Sequence, residues 1–423
     1  MSHKIHDYQQ KLQQPGVFGE VRAAITGASG ESPGPGRPPA SKASLGGAFE
    51  ATLEEVGGPL SINLDLTVAC NYHCTHCIDL EMLNSKHRYQ LQGILDSLVV
   101  MTLAGLRSVI LIGGGEPTLH PSFVETVKAI KALGLQCAIV SNGSLTGRLE
   151  EVAPHLTSGD WIRLSLDSGR DDTFRAMHNP RKKTLGLLEI CAGAQKVKEA
   201  NPEVQLGFSY IISWQGAEVQ GRPILDNVDE MTEATELARS HDFDYISFKP
   251  ILTRDYGGAE TISLPGQGAV EGRTPVERIS EQLESAQRLA NERFRVVPSR
   301  NLIAMIEEIS TAESRNQPQV CRMHLFRQVL TAVGTFGCPV YRDNDKSRVG
   351  NPLAYRSIDD FLVTRRRTVE LMHSFDASHE CRNVTCLYNS TNRWLDDLVA
   401  EGASGGPEPA TPQSPVAPSE CFL

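Results

Sequence analysis

The sequence predicts an α/β fold, an open and curved partial barrel of six βα units followed by a smaller cysteine-bearing segment. Three observations carry this reading. Six short strand-like runs alternate with helical patterns from Ser61 onward, the pattern of a parallel sheet wrapped by helices. Within those runs polar and apolar residues alternate, as in Arg163, Ser165 and Asp167 against Ile162, Leu164 and Leu166. Successive strand side chains point to opposite faces, so each strand has one polar side. A sheet covered by helices on both faces would be apolar throughout, and a closed eight-stranded barrel would pack its lumen with branched residues. A polar inner face implies instead an open barrel whose lumen holds a polar ligand. An antiparallel sheet with one wet face would show the same alternation, but the helical connectors favour parallel strands. The third observation is a late group of four cysteines, beyond the last βα unit.

Composition narrows the class. The 423 residues, 40% hydrophobic and 22% charged, suit a globular enzyme of one or two domains. A formal net charge of −10 argues against a general nucleic-acid binder, which needs basic surface to neutralise phosphates. Met1 to Glu20 has no apolar core and so no signal peptide. The most apolar window, Ile94 to Ile112, is interrupted by Asp96 and Arg107 and is too short of charge-free length to span a membrane. Ten cysteines without an export signal point to reduced thiols and metal sites in a cytoplasmic protein.

Taken in order, residues 1–58 read as a flexible extension, with Pro33, Pro35, Pro38 and Pro39 in a low-complexity stretch. The strand-like runs are Ser61–Thr67, Ser108–Gly113, Gln136–Asn142, Trp161–Asp167, Gln205–Ser213 and Tyr245–Ile251. Leu91, Ile94, Leu95 and Leu98 share one helical face, as do Phe123, Val127 and Ile130. Further helices are expected over Thr184–Ala200, Asn227–Ser240, Pro275–Glu292 and Asn301–Ser310. Tyr256–Gly272 reads as a long loop, a candidate lid. Residues 59–255 form the barrel core, 256–317 a linker, 318–398 a small cysteine-bearing domain and 399–423 a disordered tail that contains Cys421.

The chemistry centres on Cys70, Cys74 and Cys77, spaced C-x3-C-x2-C directly after the first strand. Three thiolates in one loop can hold three irons of a cubane and leave the fourth open to a ligand. A zinc site would need four ligands, and the next cysteine, Cys137, lies far along inside a strand. Gly113-Gly114-Gly115-Glu116-Pro117 ends the second strand, where glycines let backbone groups approach a ligand closely. Asn142, Ser165 and Asp167 end the third and fourth strands on the same rim, where parallel α/β sheets bind ligands. Asn63, Asp65, Arg163 and Lys249 are the candidate lumen contacts. Cys137 should face the helices, and Cys191, on a helical pattern, is a candidate hydrogen donor or acid.

These motifs, in this order over roughly residues 59–255, resemble the radical S-adenosylmethionine (SAM) superfamily, whose core is a partial (β/α)6 barrel of the TIM type. The resemblance implies that Cys70, Cys74 and Cys77 bind a 4Fe-4S cluster whose open iron chelates SAM. It also implies that Gly114, Gly115 and Glu116 contact the methionyl amino group, mainly through backbone. Asn142, Ser165 and Asp167 would serve ribose or carboxylate, and His76, with Tyr72 in the same loop, would lie near adenine. Reduction of the cluster would cleave SAM to methionine and a 5′-deoxyadenosyl radical, with electrons from a partner such as flavodoxin or ferredoxin.

Cys321, Cys338, Cys381 and Cys386 suit a 4Fe-4S cluster or zinc equally by chemistry alone. Placed after such a core, around the turn Gly334-Thr335-Phe336-Gly337 and Val349-Gly350-Asn351, they resemble the auxiliary-cluster extensions called SPASM and Twitch. Four cysteines match the one-cluster Twitch type, which implies one auxiliary 4Fe-4S cluster. His324, His373 and His379 are substitutes for a missing ligand. The expected function is hydrogen abstraction from a polar small molecule of the sugar or aminocyclitol kind, leading to dehydrogenation or epimerisation. A peptide-modifying maturase and a non-enzymatic electron-transfer scaffold are the alternatives; neither nucleic acid nor membrane is an expected partner.

Overall fold

All six expected strands form, and the sheet they build is larger than expected. The computed structural model describes residues 8–14, 16–29, 57–254 except 81 and 88, 257–262, 270–307 except 271, 316–400 and 421–423. Its first strands are β1 (Ser61–Leu64), β2 (Ser108–Leu111), β3 (Gln136–Ser141), β4 (Trp161–Ser165) and β5 (Gln205–Ile212). A hairpin of β6 (Glu218–Val219) and β7 (Arg222–Pro223) precedes β8 (Tyr245–Pro250), the sixth expected strand. A second hairpin, β9 (Leu252–Arg254) with β10 (Glu260–Ile262), occupies part of the expected lid; residues 255, 256, 263–269 and 271 lie outside the described residues. Then come β11 (Arg295–Pro298), β12 (Arg327–Thr331), β13 (Gly334–Phe336) and β14 (Arg348–Gly350).

The main sheet runs β11-β8-β5-β4-β3-β2-β1-β12-β13-β14. β11 joins β8 in parallel and β12 joins β1 in parallel, so eight parallel strands form one open sheet. Two antiparallel strands, β13 and β14, extend the β12 edge. The cysteine-bearing segment is therefore continuous with the core sheet. Its hairpin turn is readable from Gly334, but nothing local says that the free edge of β12 will pair with a strand more than 260 residues earlier.

One face of the sheet carries Ile62, Leu64, Val109, Leu111, Cys137, Ile139, Ile162, Leu164, Phe208 and Phe248 into the core, against helical Ile94, Phe123, Val127, Ile190 and Met231. Each such side chain contributes about 1.5–3 kcal/mol when fully buried. Cys137, wholly buried there, packs as expected. The alternate residues, among them Arg163, Ser165, Ser209, Ser247 and Lys249, line the opposite, inner face. The helices fall close to expectation, at Leu91–Leu103, Phe123–Ala132, Leu187–Ala200, Met231–Ser240, Pro275–Gln287 and Arg300–Ile306. Residues 308–310, expected to extend the last, lie outside the described residues.

The two ends of the chain depart from the sequence reading. Helices Tyr8–Leu12 and Phe18–Ser29 stand within the stretch expected to be flexible. Tyr8, Leu12, Val21 and Ile25 bury against Met323, Leu325, Phe326, Met372 and Leu395. Their apolar stripe is too sparse for a core of its own and needs the carboxyl-terminal helices as its other half. Cys421, placed with the tail, is ordered with its neighbours at the amino-terminal mouth of the barrel. Cys421 N donates to Gln136 Oε1 (2.7 Å), Ser108 Oγ to Cys421 O (2.9 Å) and Lys11 Nζ to Phe422 O (2.7 Å). Phe422 clusters with Ile110 and Ala138 and meets Trp161 edge-on at 5.5 Å. Residues 401–420 lie outside the described residues. Among the described residues no helix is long and apolar enough to cross a membrane.

Candidate active site and metal centres

The cysteine loop leaves β1 at the carboxyl rim and lies directly on the glycine turn after β2. A Cβ on Gly115 would stand 2.2 Å from Ala69 O, so only glycine lets the two backbones cross. Gly114 N donates to Asp65 Oδ2 (3.0 Å) and Glu116 N to Ala69 O (2.8 Å), which fastens the crossing. The Glu116 carboxylate is spent inside the protein. It accepts from Thr118 Oγ1 (2.6 Å), Ser141 Oγ (2.8 Å) and Asn142 N (2.7 Å), tying the turn to the end of β3. Burial raises its pKa against those bonds. The Glu116 side chain is thus a structural clamp, and the expected ligand contact at this turn was through backbone. Asn142 Nδ2 donates to Asn71 Oδ1 (2.9 Å) and lies 4.0 Å from Cys70 Sγ, so Asn142 positions the loop.

Asp167 follows β4 in the left-handed region at φ +53°, which aspartate tolerates better than most residues. Its Oδ2 lies 3.1 Å from His76 Nε2 and 3.3 Å from His178 Nε2, while Oδ1 accepts from Ile211 N (2.7 Å). Burial would raise its pKa, but the bonds from His178 and His76 hold it well below the usual carboxylate range. Both oxygens are engaged within the fold, so Asp167 also braces the loop and β5. His178 Nδ1 reaches Cys74 Sγ at 3.3 Å. The ligand atoms of Cys74, His76 and His178 lie within 4.8 Å of one another. However, His178 uses opposite nitrogens toward Cys74 and Asp167, so these groups form a chain rather than a shell around one ion. Sequence reading missed His178, which has no motif and stands 104 residues from Cys74.

The thiols fit a cationic cluster. Burial, then repulsion from Cys77 and Cys70, pushes Cys74 well above its ordinary pKa; burial and then Asp79 push Cys77 up to about 11. Packed thiols that resist ionisation alone are stabilised as thiolates by bound iron. Tyr72 N points at Cys70 Sγ (3.5 Å), an N–H···S contact of the kind that supports cluster ligands. Beside the thiols, His76 Nδ1 and Tyr72 OH are buried with no partner among the described residues.

The second constellation also gathers: Cys321, Cys338, Cys381 and Cys386 line one pocket, shared with His324, Phe375 and Tyr388. Tyr388 N contacts Cys386 Sγ (3.4 Å) and Asn392 Nδ2 contacts Cys321 Sγ (3.4 Å). Burial, then the neighbouring Cys321, raises Cys338 to about 12. Four thiols around one pocket, two of them with N–H···S contacts, make up a set of four without a histidine substitute. His324 Nδ1 donates to Gly337 O (2.9 Å), and burial lowers its pKa to about 4. His379 is exposed, its Nδ1 lying 3.4 Å from Oε1 of its neighbour Glu380.

Of the lumen candidates, two are engaged and two are not. Asn63 Oδ1 accepts from Arg327 (2.8 Å), a residue sequence reading passed over. Asp65 is ion-paired with Arg342, which also reaches Asp79 at 3.3 Å. Burial, opposed by Arg342, raises Asp65 to about 7. Arg163 and Lys249 pair with no carboxylate among the described residues, and Ser165 stands beside them on β4. Cys191 is wholly buried on its helix between Ile190 and Ala194 in the outer core. Burial lifts its thiol to about 12, and it packs there, away from the inner face, so the acid or donor role is withdrawn.

A family model described as the radical SAM superfamily matches residues 64–210. An S-adenosylmethionine-dependent nucleotide dehydratase of Thermoplasmatales archaeon (strain ISO4-H5) is 35% identical over 113 residues, 26% of this chain and 38% of that protein. A protein of the same name from Selenomonas ruminantium is 28% identical over 156 residues, 36% of this chain and 56% of its own. The chain thus spans roughly half the length of these curated relatives or less. The crystal structure of Streptococcus suis SuiB bound to precursor peptide SuiA has a TM-score of 0.50 at 15% identity, covering 78% of this chain and 74% of that one. At that identity the likeness is one of fold. The matched stretch runs from the end of β1 into β5 and carries the cysteine loop and glycine turn, and over that stretch the chain is similar to the radical SAM superfamily.

Proposed function

We propose that the protein reductively cleaves SAM and abstracts hydrogen from a polar small molecule held in the barrel lumen. The observation that carries this is the crossing of the cysteine loop over Gly115, which sets three thiols above a polar inner face. Cys70, Cys74 and Cys77 would hold a 4Fe-4S cluster, and Cys321, Cys338, Cys381 and Cys386 a second centre, most simply another such cluster. When bound, the first supplies the electron that splits the sulfonium of SAM into methionine and a 5′-deoxyadenosyl radical. The chain's own part is geometry. Asn142 and the Asp167 pair of histidines brace the loop, Gly114 and Gly115 leave backbone beside it unobstructed, and the strands exclude water from the lumen. The second centre would take or return the electron that separates dehydrogenation from epimerisation. The relatives named as nucleotide dehydratases support a small-molecule substrate and add dehydration to the outcomes that can follow hydrogen abstraction.

The test is incubation of reduced, reconstituted protein with SAM and candidate substrates. No 5′-deoxyadenosine under any condition would sink the enzymatic reading, and turnover only with a precursor peptide would transfer it to peptide maturation. Iron analysis counts the centres: wild type should hold about eight irons and the Cys70→Ala/Cys74→Ala/Cys77→Ala variant about four.

A further inference from the structure

On β4 and β8 the inner face carries two cations that make no ion pair among the described residues. Arg163, on β4, lies over the Trp161 ring at 5.2 Å, and its Nε is buried without a hydrogen-bond partner. Lys249, on β8, makes no ion pair among the described residues; burial, then the Arg163 charge, lowers its pKa to about 7 against the pull of Asp167, so a bound anion would hold it charged. Asp167 is already committed to His76 and His178. Between these cations runs a row of hydroxyls, because Ser165, Ser209 and Ser247 are in register across β4, β5 and β8. Ser247 Oγ is likewise buried and unpartnered. Two like charges on adjacent walls of a partly desolvated chamber repel each other, so an anion between them is strongly favoured.

We propose that Arg163 and Lys249, with Ser247, form an anion subsite that takes a phosphate group of the substrate. This rests on the lumen being the substrate chamber. A phosphate dianion matches two cations where a carboxylate would leave one uncompensated, and its oxygens suit a guanidinium fork and hydroxyl donors. The carboxylate of SAM is the rival occupant. Arg163 lies two residues below Ser165, about 7 Å deeper into the barrel than the strand's end at the strand rise per residue, while Lys249, in register with Ile211, stands nearer the rim, so titration with and without SAM separates the two occupants.

The experiment is calorimetric titration of the reconstituted full chain with pyrophosphate and with malonate, each with and without saturating SAM. Pyrophosphate should bind in both conditions without competition from SAM, and more tightly than malonate. Lys249→Met and Arg163→Gln should each raise its Kd at least tenfold. Absence of pyrophosphate binding by wild type, competition by SAM, preference for malonate, or a Kd within twofold of wild type in both variants would overturn the proposal. If Arg163→Gln fails to fold, Lys249→Met decides alone. Formation of 5′-deoxyadenosine is scored separately, so its absence with pyrophosphate binding intact would refute the reaction and leave the anion subsite standing.

Discussion

Gly115 shows how one residue decides whether the metal loop can form. Its missing side chain is the space through which Ala69 passes, with Val68 C only 2.7 Å from where a Cβ would stand. Gly115→Ala must push the loop off the turn. Reconstituted protein should then lose about four irons by analysis while its far-UV circular dichroism is unchanged. Glu260 belongs to the same scale. Burial first, then the neighbouring Asp79, raises its pKa to about 7, against Arg342 and Arg254. A carboxyl raised on folding keeps its proton in the native state where the unfolded chain has lost it, so stability falls as pH climbs from 4.5 to about 7 and levels off above. Glu260→Gln should melt with wild type at pH 4.5 and roughly 2 °C above it at pH 8 by calorimetry. Glycine and the cysteines were legible at this scale because their chemistry is local. The structural roles of Glu116 and Asp167 were not legible because a carboxylate's role is set by its partners, and those partners come from β3, from Ile211 and from His178.

At the scale of elements, alternation revealed which strand faces are polar, and the six strands formed within a few residues of expectation. β11 and β12 were not recognised as barrel strands. β11 is four half-buried residues at an edge, too short to show a period, and β12 announces only its antiparallel neighbour. The barrel floor was equally hidden. Phe422 is 4% exposed and seats on Trp161, yet its own surroundings in sequence are prolines and small residues. Phe422→Ala should cost about 3 kcal/mol, as for other buried phenylalanines, measured by denaturant unfolding. A variant as stable as wild type would show that the three docked residues add nothing to the barrel.

For the whole molecule, the joint between the two cysteine constellations matters most. Arg342, four residues after Cys338, reaches Asp65 at the end of β1 and Asp79, two residues after Cys77. One guanidinium therefore fixes the cysteine loop against the auxiliary segment. Removing one partner of a buried pair strands the other, so Arg342→Met should destabilise by about 3–5 kcal/mol. Adding Asp65→Asn should recover part of that loss, since the stranded charge goes with it. A loss in the double variant equal to the sum of the two single losses would mean that the pair is not coupled.

What the sequence by itself determined is the set of local rules: the strand period, the three-thiol spacing, and the glycines that let backbone pass close to backbone. Each depends on residues within one or two turns of chain. Tertiary structure alone decided which charged groups are spent and which stay free. Asp65, Asn63 and Arg163 look alike as polar strand residues. Only the arrival of Arg342 and Arg327 from the far end of the chain engages the first two, leaving Arg163 and Lys249 without an ion pair among the described residues. A charge's cost depends on distance and burial, and neither is written in the order of residues.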